Sequence, residues 1–505
     1  MTMQLAQLAR AVHGATLVGD ADTAVSGLAY DSRAVRPGFL FVAVPGERFD
    51  GHEFLVTALG AGASAAVVQA DRAEDFAALG VSLLVVPDAR AALAPLACCF
   101  YENPTHRLFL AGVTGTNGKT TTVRLMDAIA RAAGDVTGVI GTLGATVAGR
   151  DLPGERTTPE APDLQNLFAQ MANAGAASAA IEVASHALAL GRTNGCAFDV
   201  AVFTNLTQDH LDFHGTMDAY RDAKARLFTD YADVARAAGK TFTAVLNADD
   251  PAGHHYAAVT RADRVLTYSA ARGEPSAADI TITDARLFVD RITFTAHTPA
   301  GDVPVALGFG GAFNVENALA AIGYGIARGL SPDVITQGLA GCPPPPGRFQ
   351  PVRAGQDFAV LVDYAHTPDG LENVLRSARP LTTGRLFVVF GCGGDRDKTK
   401  RPIMGGIAER LADVAIVTSD NPRREDPHAI LDDVLAGMGG AGGARVLREA
   451  DRRAAIALAV GEARPGDTVV IAGKGHEDYQ IIGDTKHPFD DVTVASEEIA
   501  RCSGR

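Results

Sequence analysis

The chain has little cysteine, no block of basic residues and no long apolar run. Six cysteines occur in 505 residues, none in a CxxC pair. That argues against a disulfide framework and against structural zinc. Lysine and arginine number 45 against 59 aspartate and glutamate, a net charge of −14. An acidic chain without basic clusters does not fit a non-specific nucleic-acid binder, although a few local groups can still hold a small anion. No apolar stretch approaches the roughly 20 residues that span a bilayer, so stable membrane insertion is not expected. The N-terminus lacks a basic segment followed by a continuous apolar one and does not read as a signal peptide. A cytoplasmic enzyme acting on small molecules is the expectation.

What is present fits several packed α/β domains. Hydrophobic residues make up 47% and charged residues 21%, and glycine is abundant at 54. At roughly 150 residues per domain the length suggests about three. The first stretch, 1–105, has short apolar runs at Phe39–Val44, Ala65–Val68 and Leu83–Val86 between turn-rich segments. The second, 106–342, alternates strand patterns (Ala179–Val183, Val200–Thr204, Phe242–Leu246) with helical ones (Lys119–Ala133, Met217–Phe228). Such alternation implies parallel βαβ units. From about residue 278 to 310 the period shifts towards two, predicting an antiparallel appendage on that domain. Pro343-Pro344-Pro345-Pro346 cannot lie inside a helix or central strand and reads as a stiff connector, so a boundary is expected there. In 343–505 the alternation resumes at Ala359–Val362, Leu386–Phe390, Val414–Val417 and Thr468–Ile471.

The strongest local signal is Val113-Thr114-Gly115-Thr116-Asn117-Gly118-Lys119-Thr120-Thr121. It follows a predicted strand and opens a predicted helix, as a phosphate-binding loop must. Glycines let backbone N–H groups approach phosphates, the helix start adds partial positive charge, and the lysine reaches the outer phosphates. The Thr120 hydroxyl would ligate Mg²⁺. Val113 stands where the strict pattern has its first glycine. Glu182-Val183-Ala184-Ser185-His186 ends the next strand, where a carboxylate can hold Mg²⁺ opposite a phosphate loop; a capped turn is the other reading. Asp209-His210-Leu211-Asp212-Phe213-His214 crowds another strand end and reads as a metal or general-base site, or as a solvated loop. Lys224, on its residues alone, reads as a charge on a helix face.

In the last stretch, four successive strand ends carry charged or glycine-rich loops: Asp363-Tyr364-Ala365-His366, Gly391-Cys392-Gly393-Gly394-Asp395-Arg396-Asp397, Asp420-Asn421-Pro422-Arg423 and Gly473-Lys474-Gly475-His476-Glu477. In open α/β sheets such loops carry ligands, so one shared ligand surface is expected. Its arginines favour carboxylate or phosphate, because the guanidinium fork meets both oxygens.

Together, and in this order along nearly the whole chain, these segments resemble the Mur ligases, the ATP-dependent amide-forming enzymes of peptidoglycan precursor synthesis. Thr114–Thr121 matches the family's TGTNGKTT loop, which accounts for the missing glycine. Glu182–His186, Thr204-Asn205-Leu206 with Asp209–Asp212, Phe313-Asn314-Val315-Glu316-Asn317, Gly347-Arg348 and Asp363–His366 match as well. Asp420–Arg423 points within the family to the subgroup that adds meso-2,6-diaminopimelate to UDP-N-acetylmuramoyl-L-alanyl-D-glutamate, since lysine-adding members differ there. The resemblance implies an α/β fold of three domains. These are a small N-terminal uridine-binding domain, a central P-loop ATPase-like domain with a parallel sheet, and a C-terminal Rossmann-like domain. Folylpolyglutamate synthetases share the ligase architecture but lack the extra N-terminal domain and the Asp420–Arg423 loop.

The resemblance also implies roles. ATP would be bound by Gly115, Thr116, Asn117, Gly118, Lys119, Thr120 and Thr121, with Asn314 and Asn317 as adenine contacts and Arg348 and Asp363 closing the site. Catalysis would rest on Lys119, Glu182, His210 and Lys224. Mg²⁺ would be held by Thr120, Glu182, His210 and Lys224, the last carrying a carbamate derived from CO₂. The UDP-muramoyl peptide would meet Ser32, Thr157, Thr158, Ser185 and Arg192. A glutamine common in the family two residues before that arginine is Leu190 here. Diaminopimelate would meet Arg396, Asp420, Asn421, Pro422, Arg423, Gly473 and Glu477. The expected partners are these small substrates alone, in a monomer, with Pro343–Arg348 near a hinge.

Overall fold

The computed structural model describes residues 2–46, 49–154, 156–271, 277–439 and 443–503. By its contacts the chain divides into two compact units. The first runs to Ser269 and takes in Ala320–Ser331; the second comprises Thr281–Leu319 and the chain from Pro332 onward.

The first unit contains two large sheets beside a two-stranded pair, Met3–Gln4 with Ala24–Val25. In the smaller one Gly27–Ala29, Phe39–Val42, Ala65–Gln69 and Ser82–Val86 run parallel in that order, and Thr16–Val18 pairs antiparallel at the edge. The larger has eight strands. Its parallel part is ordered Thr137–Gly141, Ser178–Glu182, Phe109–Thr114, Val200–Phe203, Thr243–Asn247, Arg264–Tyr268. Gly144–Val147 and Arg150–Leu152 extend one edge as antiparallel strands that no sequence pattern announced. The central strand is apolar and buried along its length apart from Phe109, as parallel strands covered on both faces must be. Leu110, Ile181, Phe198, Phe203, Phe228 and Tyr256 form the core beneath it. Each such side chain contributes on the order of 1.5–3 kcal/mol on leaving water.

Helix Met217–Thr229 begins at Thr216, whose hydroxyl accepts the Ala219 N–H. Tyr220, Ala223, Lys224, Leu227 and Phe228 are its buried face. Lys224 therefore sits inside an apolar stripe of helical period, not on the solvated side.

The second unit has an antiparallel three-stranded sheet, Thr281–Leu287, Ile292–Thr298 and Gly301–Leu307. The period-two reading of that stretch is matched, but by its contacts the sheet belongs with the C-terminal part of the chain. The six-stranded sheet is ordered Gln350–Pro351, Ala359–Asp363, Thr468–Ala472, Leu386–Phe390, Val414–Val417, Arg445–Arg448, parallel except for its first strand. Alternate residues face opposite ways. Leu361, Val388, Phe390 and Val470 pack against Leu371, Leu375, Met404 and Leu431. Val360, Val362, Phe387 and Ile471 pack against Ile456, Val460, Val494 and Ile499 on the other side. Helices thus cover both faces, and every parallel strand delivers its following loop to the same edge. The proline connector is irregular, as expected, but it lies inside this unit: Tyr364 N–H donates to the Gly347 carbonyl at 2.9 Å and Phe349 N–H to Asp363 Oδ2 at 2.7 Å.

Candidate active site

The phosphate loop joins strand Phe109–Thr114 to helix Lys119–Ala132. Gly115 has φ +150°, and a Cβ there would lie 1.9 Å from Thr204 Oγ1, so only glycine fits. The strand end at 204–207 braces the loop. Thr204 Oγ1 donates to the Asn117 carbonyl at 2.6 Å, Asn117 N–H donates to Asn205 Oδ1 at 3.0 Å, and Thr116 N–H to the Asn205 carbonyl at 2.8 Å.

Two lysines converge on this loop. Lys119 Nζ donates to the Gly115 and Thr116 carbonyls at 2.9 and 2.8 Å. Lys224 Nζ donates to the same Gly115 carbonyl at 2.9 Å and lies 4.6 Å from the Tyr220 ring centre. Lys224 is 1% exposed. Burial drives its ammonium well below the usual lysine range, Lys119 adds repulsion, and Asp209 opposes them. His210, with a left-handed φ of +53°, lies near both. Burial lowers its pKa and the two lysines lower it further, while Asp209 pulls the other way. Its ring is 4.7 Å from that of His186, which is 5.4 Å from that of His214.

Glu182 ends its strand 1% exposed. Oε1 accepts the Thr142 N–H at 2.8 Å and Oε2 the Thr142 hydroxyl at 3.1 Å. Thr142, which nothing in the sequence singled out, thus fixes the carboxylate. The expected muramoyl-peptide residues gather around it. Thr157 Oγ1 is 3.2 Å from Thr142 Oγ1, and Thr158 Oγ1 donates to the Glu182 carbonyl at 2.8 Å. Ser185 Oγ is 2.9 Å from His214 Nε2. Arg192 Nη1 donates to the Thr158 carbonyl at 3.2 Å, and its Nε is 3.0 Å from Glu160 Oε1. Ser32 stands apart from this cluster, in a short helical turn after strand Gly27–Ala29 where Asp31 accepts the Arg33 N–H.

The remaining nucleotide candidates belong to the second unit. Asn314 is buried, with Nδ2 on the Gly310 carbonyl at 2.7 Å and Oδ1 accepting from Asn317 Nδ2 at 2.8 Å. Asp363 accepts the Phe349 and Ala365 N–H groups. Burial raises its carboxyl above the ordinary range while the Arg348 charge opposes that. The Arg348 guanidinium is 5.2 Å from the Tyr364 ring centre, and its buried Nε has no partner among the described residues.

The loops at the sheet edge of the second unit form one network. Asn421 Nδ2 donates to Glu477 Oε2 at 2.9 Å, and Asn421 Oδ1 accepts from Lys474 Nζ at 3.2 Å and from the Ile481 N–H at 2.9 Å. Lys474 is fully buried and also reaches Glu477 Oε2 at 3.1 Å. Arg423 has φ +50°. The hairpin Tyr479–Ile482 with Thr485–Pro488 holds it there: Arg423 N–H donates to the Ile481 carbonyl at 3.0 Å, and the Arg423 carbonyl accepts the Gly483 N–H at 2.7 Å. Its Nη1 donates to the Gly394 carbonyl at 2.9 Å. Gln480 Nε2 caps the Asp420 carbonyl at 2.8 Å. The hairpin carried no catalytic signature, so its bracing role was not legible. Pro422 and Gly473 complete the rim, with Gly473 N–H on the Asp363 carbonyl at 3.0 Å. Arg396 is exposed, with Nη1 on the Asp395 carbonyl.

Known proteins with this organisation are numerous. Residues 24–101 match the Mur ligase family catalytic domain, 113–325 the Mur ligase middle domain, and 347–475 the Mur ligase glutamate ligase domain. UDP-N-acetylmuramoyl-L-alanyl-D-glutamate--2,6-diaminopimelate ligase of Geobacillus thermodenitrificans is 48% identical over 471 residues, covering 93% of this chain and 94% of that protein. The protein of the same name from Geobacter metallireducens is 44% identical, covering 99% of each. A solved structure of a ligase of that name superposes with a TM-score of 0.70 at 34% identity, covering 99% of both chains. Folylpolyglutamate synthase of Mycobacterium tuberculosis, at 20% identity and a TM-score of 0.56 over 81% of this chain and 94% of that one, shares the fold alone. Across nearly its whole length, and with the three-domain α/β fold that goes with it, the chain belongs to the Mur ligase family.

Proposed function

We propose that the chain is the ATP-dependent, ADP-forming ligase that adds meso-2,6-diaminopimelate to UDP-N-acetylmuramoyl-L-alanyl-D-glutamate in cell-wall precursor synthesis. The observation that carries this reading is identity of 44–48% over nearly the whole length to ligases of that name. The three domains are read as 1–105 for the UDP substrate, 106–342 for ATP and 343–505 for the amino acid. Among the described residues no helix is long and apolar enough to cross a membrane. A cytoplasmic monomer is part of the reading, which needs no residue from a second chain.

The γ-carboxylate of the D-glutamyl residue is a poor acyl donor until activated. ATP transfers its γ-phosphoryl group to that carboxylate, giving an acyl phosphate and ADP. The amine of diaminopimelate attacks the carbonyl carbon, loses a proton, and phosphate leaves from the tetrahedral intermediate. Phosphates and a carboxylate repel one another as they meet. Lys119, the loop N–H groups and the start of helix Lys119–Ala132 offset that repulsion where charge develops. Asn314 and Asn317 are the proposed adenine contacts, with Arg348 and Asp363 on the nucleotide. Ser32, Thr157, Thr158, Ser185 and Arg192 hold the UDP-muramoyl peptide.

The donor set fits Mg²⁺. Among the described residues no three His, Cys, Asp or Glu side chains are grouped to cage a metal, and Mg²⁺ takes few protein ligands beside phosphates and water. Thr120, Glu182, His210 and Lys224 would hold it, and when bound it neutralises phosphate charge. Lys224 suits the role only as an anion. Burial, which disfavours its ammonium form, suits its amine to attack CO₂: the N–C bond forms as one C=O π bond of CO₂ opens onto oxygen, the nitrogen loses a proton, and the neutral amine becomes a carbamate anion.

Arg423, with Arg396 and Asn421, is proposed to take the carboxylate that distinguishes diaminopimelate from lysine, and Glu477 with the Gly473 carbonyl the neighbouring ammonium. Asp420 and Pro422 shape that loop. The test is phosphate release from ATP with the UDP-dipeptide substrate and meso-diaminopimelate, L-lysine or no amino acid. Release that depends on diaminopimelate, with a tripeptide product by mass, is expected; lysine preference would remove the Arg423 assignment, and release without any substrate would remove the ligase.

A further inference from the structure

Arg452 is 1% exposed and opens helix Arg452–Glu462. A cation at that end meets the positive pole of the helix and gains nothing from it. Its partners lie elsewhere. Nε and Nη2 grip Asp491 Oδ1 and Oδ2 at 2.8 and 2.7 Å, and Asp491 is itself fully buried at the start of helix Asp491–Ser503. The rest of the fork goes to two carbonyls. Nη1 donates to Ser419 at 3.3 Å and Nη2 to Ala472 at 3.0 Å.

Those carbonyls are where two ligand loops leave the sheet. Ser419 precedes Asp420–Arg423, and Ala472 precedes Gly473–Glu477. Their strands, Val414–Val417 and Thr468–Ala472, are not neighbours: Leu386–Phe390 runs between them. No ladder hydrogen bond can set their spacing. The backbone crosses the end of the intervening strand at Gly391, where a Cβ would lie 2.3 Å from the Thr418 carbonyl oxygen. A planar fork anchored on Asp491 can fix both carbonyls at once, whereas an ammonium is a point charge.

We propose that Arg452, held by Asp491, is a positioning residue that fixes the bases of the Asp420–Arg423 and Gly473–Glu477 loops, whose tips the Asn421–Glu477 and Asn421–Lys474 hydrogen bonds join, and so sets the fit for the amino-acid substrate. This rests on the reading above that these loops take diaminopimelate. Arg452 itself touches no substrate. Misplacing binding groups by about an ångström costs on the order of a hundredfold.

The experiment measures KM for diaminopimelate and for ATP, kcat, and the thermal midpoint in the wild type, Arg452→Lys, Arg452→Met and the double variant Arg452→Met with Asp491→Leu. Wild-type phosphate release that ignores diaminopimelate would defeat the functional reading itself. With that dependence in hand, the proposal expects KM for diaminopimelate to rise roughly tenfold or more in Arg452→Lys while KM for ATP stays within about twofold. The double variant removes both buried charges, which can restore stability. Its thermal midpoint should recover above that of Arg452→Met while its diaminopimelate KM stays high. A double variant that recovers both, or an Arg452→Lys protein whose two KM values move together, would show a role in stability alone and overturn the proposal.

Discussion

The phosphate loop and the amino-acid loops are built on opposite electrostatic plans. At the phosphate loop two lysines point at one carbonyl, Gly115, and burial, with Lys119 adding repulsion, disfavours the ammonium of Lys224. Before modification that arrangement crowds cationic groups, and it is completed by anions, the carbamate proposed on Lys224 among them. Around the six-stranded sheet the fully buried cations Lys474, Arg452 and Arg401 are already matched. Lys474 meets Glu477, Arg452 meets Asp491, and Arg401 meets Glu425 and Asp433. There Arg396 and Arg423 have guanidinium groups hydrogen-bonded to backbone carbonyls. A site for polyphosphate can rely on unbalanced charge. On the proposed function the sheet-edge loops separate two amino acids differing by one carboxylate, and such a site has to fix where its charges stand.

The comparison can be broken at its extremes. Lys119→Ala should lower diaminopimelate-dependent phosphate release by about 10³-fold, since a preorganised group opposite developing charge is removed; retained turnover would deny the loop its role. Lys224→Arg puts a fixed positive charge where a carbamate is proposed, and turnover should fall by roughly 10²-fold. The intact protein should carry 44 Da more on the peptide containing Lys224, read by native mass spectrometry in bicarbonate (the mass of CO₂ added). Arg423→Ala should raise KM for diaminopimelate by roughly 10²-fold and leave KM for ATP nearly unchanged, which competition kinetics would read. If both constants shift alike, the amino-acid region is not the separate recognition site described.

The smallest expected effect sharpens the matched side. Hydrogen bonds from Arg401 hold the Glu425 carboxyl at about 2, below its usual 4.5. A depressed carboxylate stabilises the fold above its unfolded pKa and loses that contribution as pH falls towards the folded value. The wild-type thermal midpoint should therefore drop as pH falls from about 4.5 to about 2, and Glu425→Gln should flatten part of that drop while lowering the midpoint at neutral pH. Calorimetry across that range checks both.

Much of the fold was legible because its strands are buried on both faces. Leu386–Phe390 and Val414–Val417 appear in the structure with the limits their apolar runs announce. The hairpin Gly144–Val147 and Arg150–Leu152 gave no such run: its strands are short, and Arg150–Leu152 lies at the sheet edge, where little apolar surface is needed. The phosphate loop was legible because backbone approach demands glycine at 115 and 118. Lys224 was half legible: its spacing from Tyr220 and Phe228 places it on the buried stripe, yet a lysine there reads first as a surface charge.

The order of strands and helices, the glycines where chains must touch and the charged loops after each strand were therefore set by the sequence alone, since they follow from local sterics and hydrophobic period. Only the tertiary structure decided that Lys119 and Lys224 share one carbonyl, that Thr142 fixes Glu182, that a hairpin about sixty residues downstream holds Arg423 in a left-handed conformation, and that Arg452 reaches the starts of two loops at once. Those contacts join residues far apart in the chain, and no local pattern encodes which distant carbonyl a buried cation will find.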